Sequence, residues 1–322
     1  MTKKKEIFCT LGPSSLNKNF LKFANNNVSL LRLNMSHIKI SKLKKTIEFV
    51  RKYSSVPICI DTEGAQIRTK VTKLKFCKLN SILNIYRSGN NFTLYPGVVF
   101  NKLKVGDILN IGFRGLMVKI KSANKKVIKS IIINSGYLEN NKGVNISNRK
   151  IKLKYLTDKD FEAIKIAKKY KINYFALSFT NNREDIVNFS NLLKNEIKIY
   201  KLETRSAVKN LKKILSAGNK FLIDRGDLSK ATEVENIPVI QRKIFSISKK
   251  IKGKKIFVAT DLLGSLLHNK YPTKGEANDV FNTLEMGASG LVLAGETAVG
   301  KYPQEAVIFL RKIINAFKKN KS

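Results

Sequence analysis

Residues 197–228 read IKIYKLETRSAVKNLKKILSAGNKFLIDRGDL, and this stretch decides the fold. It opens on an apolar run, Ile197–Thr204, whose end delivers Lys201 and Glu203. The next segment, Ser206–Ala217, carries apolar residues at spacings of three and four, the period of a helix packed on one face. A second apolar run, Lys220–Leu228, then delivers Arg225 and Asp227. Strand, helix and strand in this order form a parallel unit, with charged groups at the C-terminal ends of its strands.

The same rhythm recurs along the chain. Apolar runs at Glu6–Gly12, Val28–Ser36, Pro57–Gly64, Tyr174–Thr180, Lys254–Asp261 and Gly290–Thr297 bring the total to eight. Their ends supply Thr10; Arg32, Asn34 and Ser36; Asp61 and Thr62; Ser178; Thr260; and Glu296 with Thr297. Helical spacing marks Asn17–Asn26, Ile40–Lys52, Asp158–Tyr170, Arg183–Lys194, Pro238–Ile251, Lys274–Gly287 and Pro303–Asn320. Thr157-Asp158 and Pro303 are start signals. Eight strand–helix repeats imply a closed (β/α)8 barrel, an α/β fold in which strand ends distant in sequence converge on one face. The length of 322 residues suits one such barrel with an insertion.

The insertion interrupts the rhythm between about Lys70 and Asn141. Short β-like runs at Ile82–Tyr86, Asn91–Leu94, Asp107–Leu109, Leu116–Lys121 and Val127–Asn134 alternate with Gly, Asn and Ser turns. The expected division is barrel over 1–69, a small all-β lid domain over 70–141 after the third strand, and barrel again over 142–322. A domain inserted there can exclude water from a catalytic face. Only the terminal KKNKS reads as a disordered tail.

Composition narrows the class. Hydrophobic residues make up 43%, and no apolar run approaches the roughly 18–20 residues that span a bilayer. The N-terminal MTKKKEIFCTLG has no apolar signal core, so no secretory leader is read. Cys9, Cys59 and Cys77 are unclustered and suit free thiols in a reducing cytoplasm better than disulfides or a metal site. The formal charge of +39 invites nucleic acid, but the lysines are spread along the whole chain. Lys, Asn and Ile are all products of AT-rich codons, so coding drift accounts for the three excesses together. Non-specific attraction of anions is the physical consequence.

The strand-end groups ask for a small anion, a divalent metal and phosphoryl transfer. Lys201 and Glu203 are two apart and project to one side of their strand. Asp227 ends the next strand, where it can share a cation with Glu203. Two carboxylates with substrate and water oxygens suit Mg²⁺. Arg32, Lys201 and Arg225 can neutralise a transferring phosphoryl group. Gly226-Asp227-Leu228 offers backbone N–H groups to a carboxylate. Taken singly these signals are weak: Lys-x-Glu is commonly a surface pair, and Asp61-Thr62 can simply cap a turn. Asn34 and Ser36 can equally tie up strand-end backbone groups. His37 can be a packing residue, and His268 reads as a helix-end residue.

The motifs LRLNMSH, IDTEGAQIRT, NKGVNIS, YKLET, DRGDL, FVATDLL and LAGETAVGKYPQEAV, in this order, resemble the pyruvate kinase family. The resemblance runs from CTLGPSS to the end of the chain. It implies transfer of the phosphoryl group of phosphoenolpyruvate to ADP, giving pyruvate and ATP in glycolysis, in the cytoplasm. It also implies Mg²⁺ or Mn²⁺ held by Glu203 and Asp227, and K⁺ at Asn34, Ser36, Asp61 and Thr62. Arg32, Lys201 and Thr260 take the catalytic roles, and these three with Gly226, Asp227 and Arg68 bind substrate. Pro13, Arg32, Asn34, His37 and Lys142 line the nucleotide side, with Asn145 beside Lys142 in the KGVN segment.

Departures from the family pattern are specific. Gly64-Ala65-Gln66 stands where the family has Gly-Pro-Glu, with Glu63 in a lysine position, which leaves the K⁺ requirement open. Asp224 replaces an alanine, Ser229 a glycine, Asp261 a glutamine, Ala294 a serine and Val299 a basic residue. Asn110-Ile111-Gly112 replaces Asp-Asp-Gly in the inserted domain. The sequence stops after the eighth helix, so a short form without the family's C-terminal effector domain is expected, with no sugar-phosphate control. A homo-oligomer would then form through the barrel. The alternative function is a catalytically impaired homologue with a binding or regulatory role.

Overall fold

The structure, a computed structural model, describes residues 4–89, 91–112, 115–149, 151–230 and 232–320. These form two compact units, residues 1–64 with 158–322, and residues 65–157. The first begins with strand β1 (Glu6–Thr10), helix α1 (Lys18–Asn27), β2 (Leu30–Asn34), α2 (Ile40–Tyr53) and β3 (Ile58–Asp61). The second unit follows β3 in sequence and is all-β apart from a 3-10 turn at Gly97–Lys102. Its strands are β4 (Ile67–Lys70), β5 (Lys75–Cys77), β6 (Ile82–Tyr86), β7 (Thr93–Tyr95), β8 (Ile108–Ile111), β9 (Leu116–Ala123), β10 (Val127–Asn134), β11 (Gly136–Leu138) and β12 (Gly143–Ile146).

The first unit resumes with α3 (Asp158–Lys169), β13 (Tyr174–Leu177), α4 (Arg183–Leu192) and β14 (Ile197–Leu202). There follow α5 (Arg205–Lys209), α6 (Leu211–Ala217), β15 (Lys220–Asp224), the single turn α7 (Arg225–Leu228) and α8 (Asn236–Lys249). Next are β16 (Lys255–Ala259), α9 (Lys274–Glu285), β17 (Gly290–Leu293), the turn α10 (Gly295–Ala298) and α11 (Pro303–Lys319).

All eight expected barrel strands are present and close in the order β1-β17-β16-β15-β14-β13-β3-β2, every pair parallel. β3 and β17 are buried at every position, as strands covered on both faces must be. Residues from all eight strands share one interior cluster: Phe8, Leu30, Cys59, Ala176, Ile199, Leu222, Phe257 and Ala259, and Val292. Phe8 and Phe257 stack at 4.6 Å, and Cys59 and Ala176 leave the room those rings take. Because side chains alternate faces along a strand, adding two residues to this layer reaches the next one. On every strand but β16, where it gives Ala259 and Asp261, that step names Thr10, Arg32, Asp61, Ser178, Lys201, Asp224 and Ala294. The functional layer is therefore the core layer moved one pleat towards the strand ends.

Three expectations change. The helix read over Ser206–Ala217 is broken at Asn210, whose amide donates to the Asn181 carbonyl at 2.9 Å and ends α5 before α6 begins. Lys318 and Lys319 of the presumed tail belong to α11, while Lys321 and Ser322 lie outside the described residues. The β unit is wider than 70–141. β4 and β12, at its margins, pair with each other and with β7 and β8, closing the barrel β10-β6-β7-β4-β12-β8-β9 around its own core. β5 and β11 form a separate two-stranded sheet.

Candidate active site

Lys201 sits at the C-terminal end of β14 with 4% of its side chain exposed, and three carboxylates surround it. Its Nζ is 3.1 Å from Glu203 Oε2, 3.2 Å from Asp224 Oδ2 and 3.6 Å from Asp61 Oδ2. It also donates to Ser178 Oγ at 3.3 Å. Burial disfavours its charge, but Asp61, Glu203 and Asp224 more than compensate and hold its pKa well above the ordinary lysine value. Arg32, one pleat beyond Leu30 on β2, places Nε 3.2 Å from Asp61 Oδ2. Its Nη1 is buried and makes no hydrogen bond among the described residues, so a donor stands ready for an anion.

The carboxylates are held as firmly. Glu203 Oε1 accepts from the Phe179 N–H at 2.7 Å. Its Oε2 is buried, makes no hydrogen bond among the described residues and meets the Lys201 ammonium as an ion pair at 3.1 Å. Burial, opposed by Lys201 and reinforced by Asp227 and Asp224, pushes the Glu203 pKa up to about 8. Asp224 is also buried, which raises its pKa, but Lys201, Arg32 and the Thr260 hydroxyl overcome burial and hold it below the usual carboxylate range.

Glu203, Asp224 and Asp227 bring one oxygen each within 4.8 Å of one another. Asp61, Glu203 and Asp224 thus face two buried cations, Arg32 and Lys201, while Asp227, half-buried beside them, pairs with Lys230 at 2.8 Å. The surplus acid is Glu203, whose raised pKa reflects a third carboxylate buried beside two cations, and a bound cation would offset that cost. Three hard carboxylate oxygens this close together fit a divalent ion such as Mg²⁺ or Mn²⁺.

The residues read as a monovalent-cation set lie at neighbouring strand ends. Asn34 and Asp61 are direct partners across β2 and β3. Asn34 Oδ1 accepts from the Ser36 N–H at 3.0 Å, and Thr62 Oγ1 accepts from the Ser178 N–H at 3.0 Å. Ser178 Oγ donates to the Thr62 carbonyl at 2.7 Å. Among the residues read for the nucleotide side, Pro13 is exposed after β1 and His37 is exposed after β2. Arg68 and Lys142 belong to the β unit. There Arg68 Nη1 lies 3.4 Å from the Asn141 carbonyl and Lys142 pairs with Glu139 at 3.0 Å. Asn145 is exposed opposite Asn110.

Several strand-end groups serve the scaffold instead. Arg225 faces away from a phosphoryl role: Nε and Nη2 donate to the Thr260 and Asp261 carbonyls, and Nη1 pairs with Asp279 at 2.7 Å. Glu296 accepts from the Leu263 and Ala294 N–H groups. The Thr297 hydroxyl donates to the Thr10 carbonyl at 2.9 Å, and the Thr10 hydroxyl to Leu293, sewing β1 to β17. Thr204 caps α5. Sequence reasoning undervalued Asp224, whose signal was the two-residue step from Leu222. It missed Asp160, which accepts from the Glu63 and Gly64 N–H groups at 2.7 and 3.0 Å.

The profile of the pyruvate kinase barrel domain matches residues 2–307. The chain belongs to the pyruvate kinase family. Pyruvate kinases of Staphylococcus epidermidis and Staphylococcus aureus are 32% and 31% identical to it across 97% of its length. The chain spans about half the length of the curated relatives it matches, 56% of each of these two. No helix among the described residues is long and apolar enough to cross a membrane.

Proposed function

We propose that this chain transfers the phosphoryl group of phosphoenolpyruvate to ADP. The observation that carries this reading is the convergence of Arg32, Lys201, Glu203, Asp224 and Asp227 at the strand ends of one barrel. Family membership supports this reaction class, and the buried cations would supply its electrostatics. The bond from phosphorus to the enol oxygen breaks as one forms to a β-phosphate oxygen of ADP, and the enolate takes a proton at its methylene carbon. Arg32 and Lys201 meet the negative charge spread over the phosphoryl oxygens. Thr260 serves the substrate carboxylate and the proton path, with Gly226 and Asp227 beside it. A bound Mg²⁺ or Mn²⁺ supplies charge neutralisation for substrate oxygens, held by Glu203 and Asp227 with Asp224 adjoining.

Arg68 contributes to phosphate binding, and Pro13, Asn34, His37 and Lys142 to the nucleotide, in the same reading. The reaction belongs to cytoplasmic glycolysis. A coupled assay with phosphoenolpyruvate, ADP and Mg²⁺ tests the proposal. Turnover that depends on the divalent ion is expected, and its absence from folded protein would leave only a binding role.

Asn34, Ser36, Asp61 and Thr62 are proposed to bind K⁺. Gln66 is neutral and lacks the charge that makes K⁺ obligatory in family members with glutamate there. Activity in Na⁺ buffer with modest stimulation by K⁺ is therefore expected from initial rates at fixed ionic strength, held constant because salt also screens a +39 chain. Complete inactivity without K⁺ would show that Gln66 does not relax the requirement.

A further inference from the structure

Thr260 and Asp261 follow β16 with φ of +74° and +55°. Two successive left-handed residues without a glycine are unfavourable, and a β-branched residue there is a genuine outlier. Such a conformation persists only where its surroundings over-determine it. The surroundings are three consecutive residues of the neighbouring strand end. Asp224 Oδ1 accepts from the Thr260 hydroxyl at 2.8 Å. Arg225 Nε donates to the Thr260 carbonyl and Nη2 to the Asp261 carbonyl, both at 2.9 Å. Gly226 supplies space, since a Cβ there would stand 2.7 Å from Thr260 Cγ2. Asp279, on α9, fixes the far side of the guanidinium at 2.7 Å.

We propose that Asp224-Arg225-Gly226, anchored by Asp279, is a mould that positions the Thr260 hydroxyl for the reaction. The proposal rests on the substrate role assigned to Thr260 above. Each member acts on a different part of one residue: hydroxyl, carbonyl and methyl. Asp224 also lies 3.2 Å from Lys201, so one carboxylate sets both the hydroxyl and the ammonium. Arg225 is a positioning residue, and its planar fork is essential because it must serve two carbonyls and a carboxylate at once. Without it, residues 260 and 261 relax to ordinary backbone angles and carry the hydroxyl out of place.

The test is a double-mutant cycle on the full chain. Arg225→Met should lower kcat by roughly 10–100-fold, as a misplaced group does, and leave the KM for phosphoenolpyruvate within about threefold. Arg225→Lys should behave like Arg225→Met, because it keeps the charge and loses the fork. Asp279→Asn, which leaves Arg225 in place, should give a smaller loss in the same direction. Thr260→Gly removes both the hydroxyl and the backbone cost. In that background Arg225→Met should change kcat by less than about twofold. Its melting-temperature penalty, roughly 2–6 °C in the parent, should shrink to about 1 °C or less. Full kcat in Arg225→Lys, or additive effects on both rate and melting temperature, would overturn the mould. Should no form turn over substrate, the proposed reaction fails, while the melting-temperature cycle still decides the mould by itself.

Discussion

Lys201 illustrates how a buried charge is made affordable at the scale of one residue. Its ammonium is offset by Asp61, Glu203 and Asp224, and none of these acids has another lysine as a partner in the site. Lys201→Met should therefore lower kcat by roughly three orders of magnitude or more, with KM little changed, because the group meets charge that develops in the transition state. The same substitution strands the acids and should lower stability by about 3–5 kcal/mol. Steady-state kinetics and urea unfolding measure the two effects, and a variant with near-wild-type kcat would remove the assigned role. Glu203→Gln and Asp227→Asn should each raise the Mg²⁺ or Mn²⁺ concentration needed for half activity by roughly tenfold or more, since each takes one anionic oxygen from a small donor set. Titration of Mn²⁺ binding without substrate gives an independent reading. Unchanged titrations in both variants would make the carboxylates structural.

At the scale of elements, the turn after β3 shows how a helix can secure a site without touching substrate. Asp160, in the first turn of α3, is fully buried and ties down the N–H groups of Glu63 and Gly64. Gly64 has φ of +72°, and a Cβ there would lie 2.7 Å from that of Ser178, so the turn is shaped to bring Asp61 and Thr62 beside Ser178. Lys159, next to Asp160, pairs with Glu63 at 3.0 Å. Asp160→Ala leaves two backbone donors without their acceptor and should cost about 2–4 kcal/mol. Thermal unfolding should show the loss, and Asp160→Asn should recover part of it by keeping one acceptor. A melting temperature unchanged by the alanine variant would mean that the turn holds itself.

On the scale of the whole molecule, charge is the dominant property. A chain of 322 residues at +39 repels itself and attracts anions generally. Glu203, Asp224 and Asp227 nevertheless form a local acidic cluster on this basic chain. Duplex DNA binding should accordingly be weak, indifferent to sequence and abolished as salt rises through the physiological range by counterion release. Fluorescence anisotropy against NaCl concentration measures this. Sequence-selective binding that survives physiological salt would assign the surplus lysines a function.

The sequence by itself determined the barrel, because apolar runs and helical periods are local patterns that survive any tertiary context. It also determined which residues stand at strand ends, and the family motifs picked Arg32, Lys201, Glu203, Asp227 and Thr260 from among them. The strands β4, β5, β11 and β12 were not legible, since their residues mix apolar and polar types with no run or alternation that sets them apart from the flanking turns. Only the tertiary structure decided what each strand-end group does. Arg225 and Lys201 look alike as cations after apolar runs, yet one grips backbone carbonyls and the other meets three carboxylates. That difference depends on which groups from distant strands stand within about 3 Å, the range over which hydrogen bonds act. Asp224 makes the same point: its carboxylate is one more acid in sequence, and a partner of both Lys201 and Thr260 only once β14, β15 and β16 lie side by side.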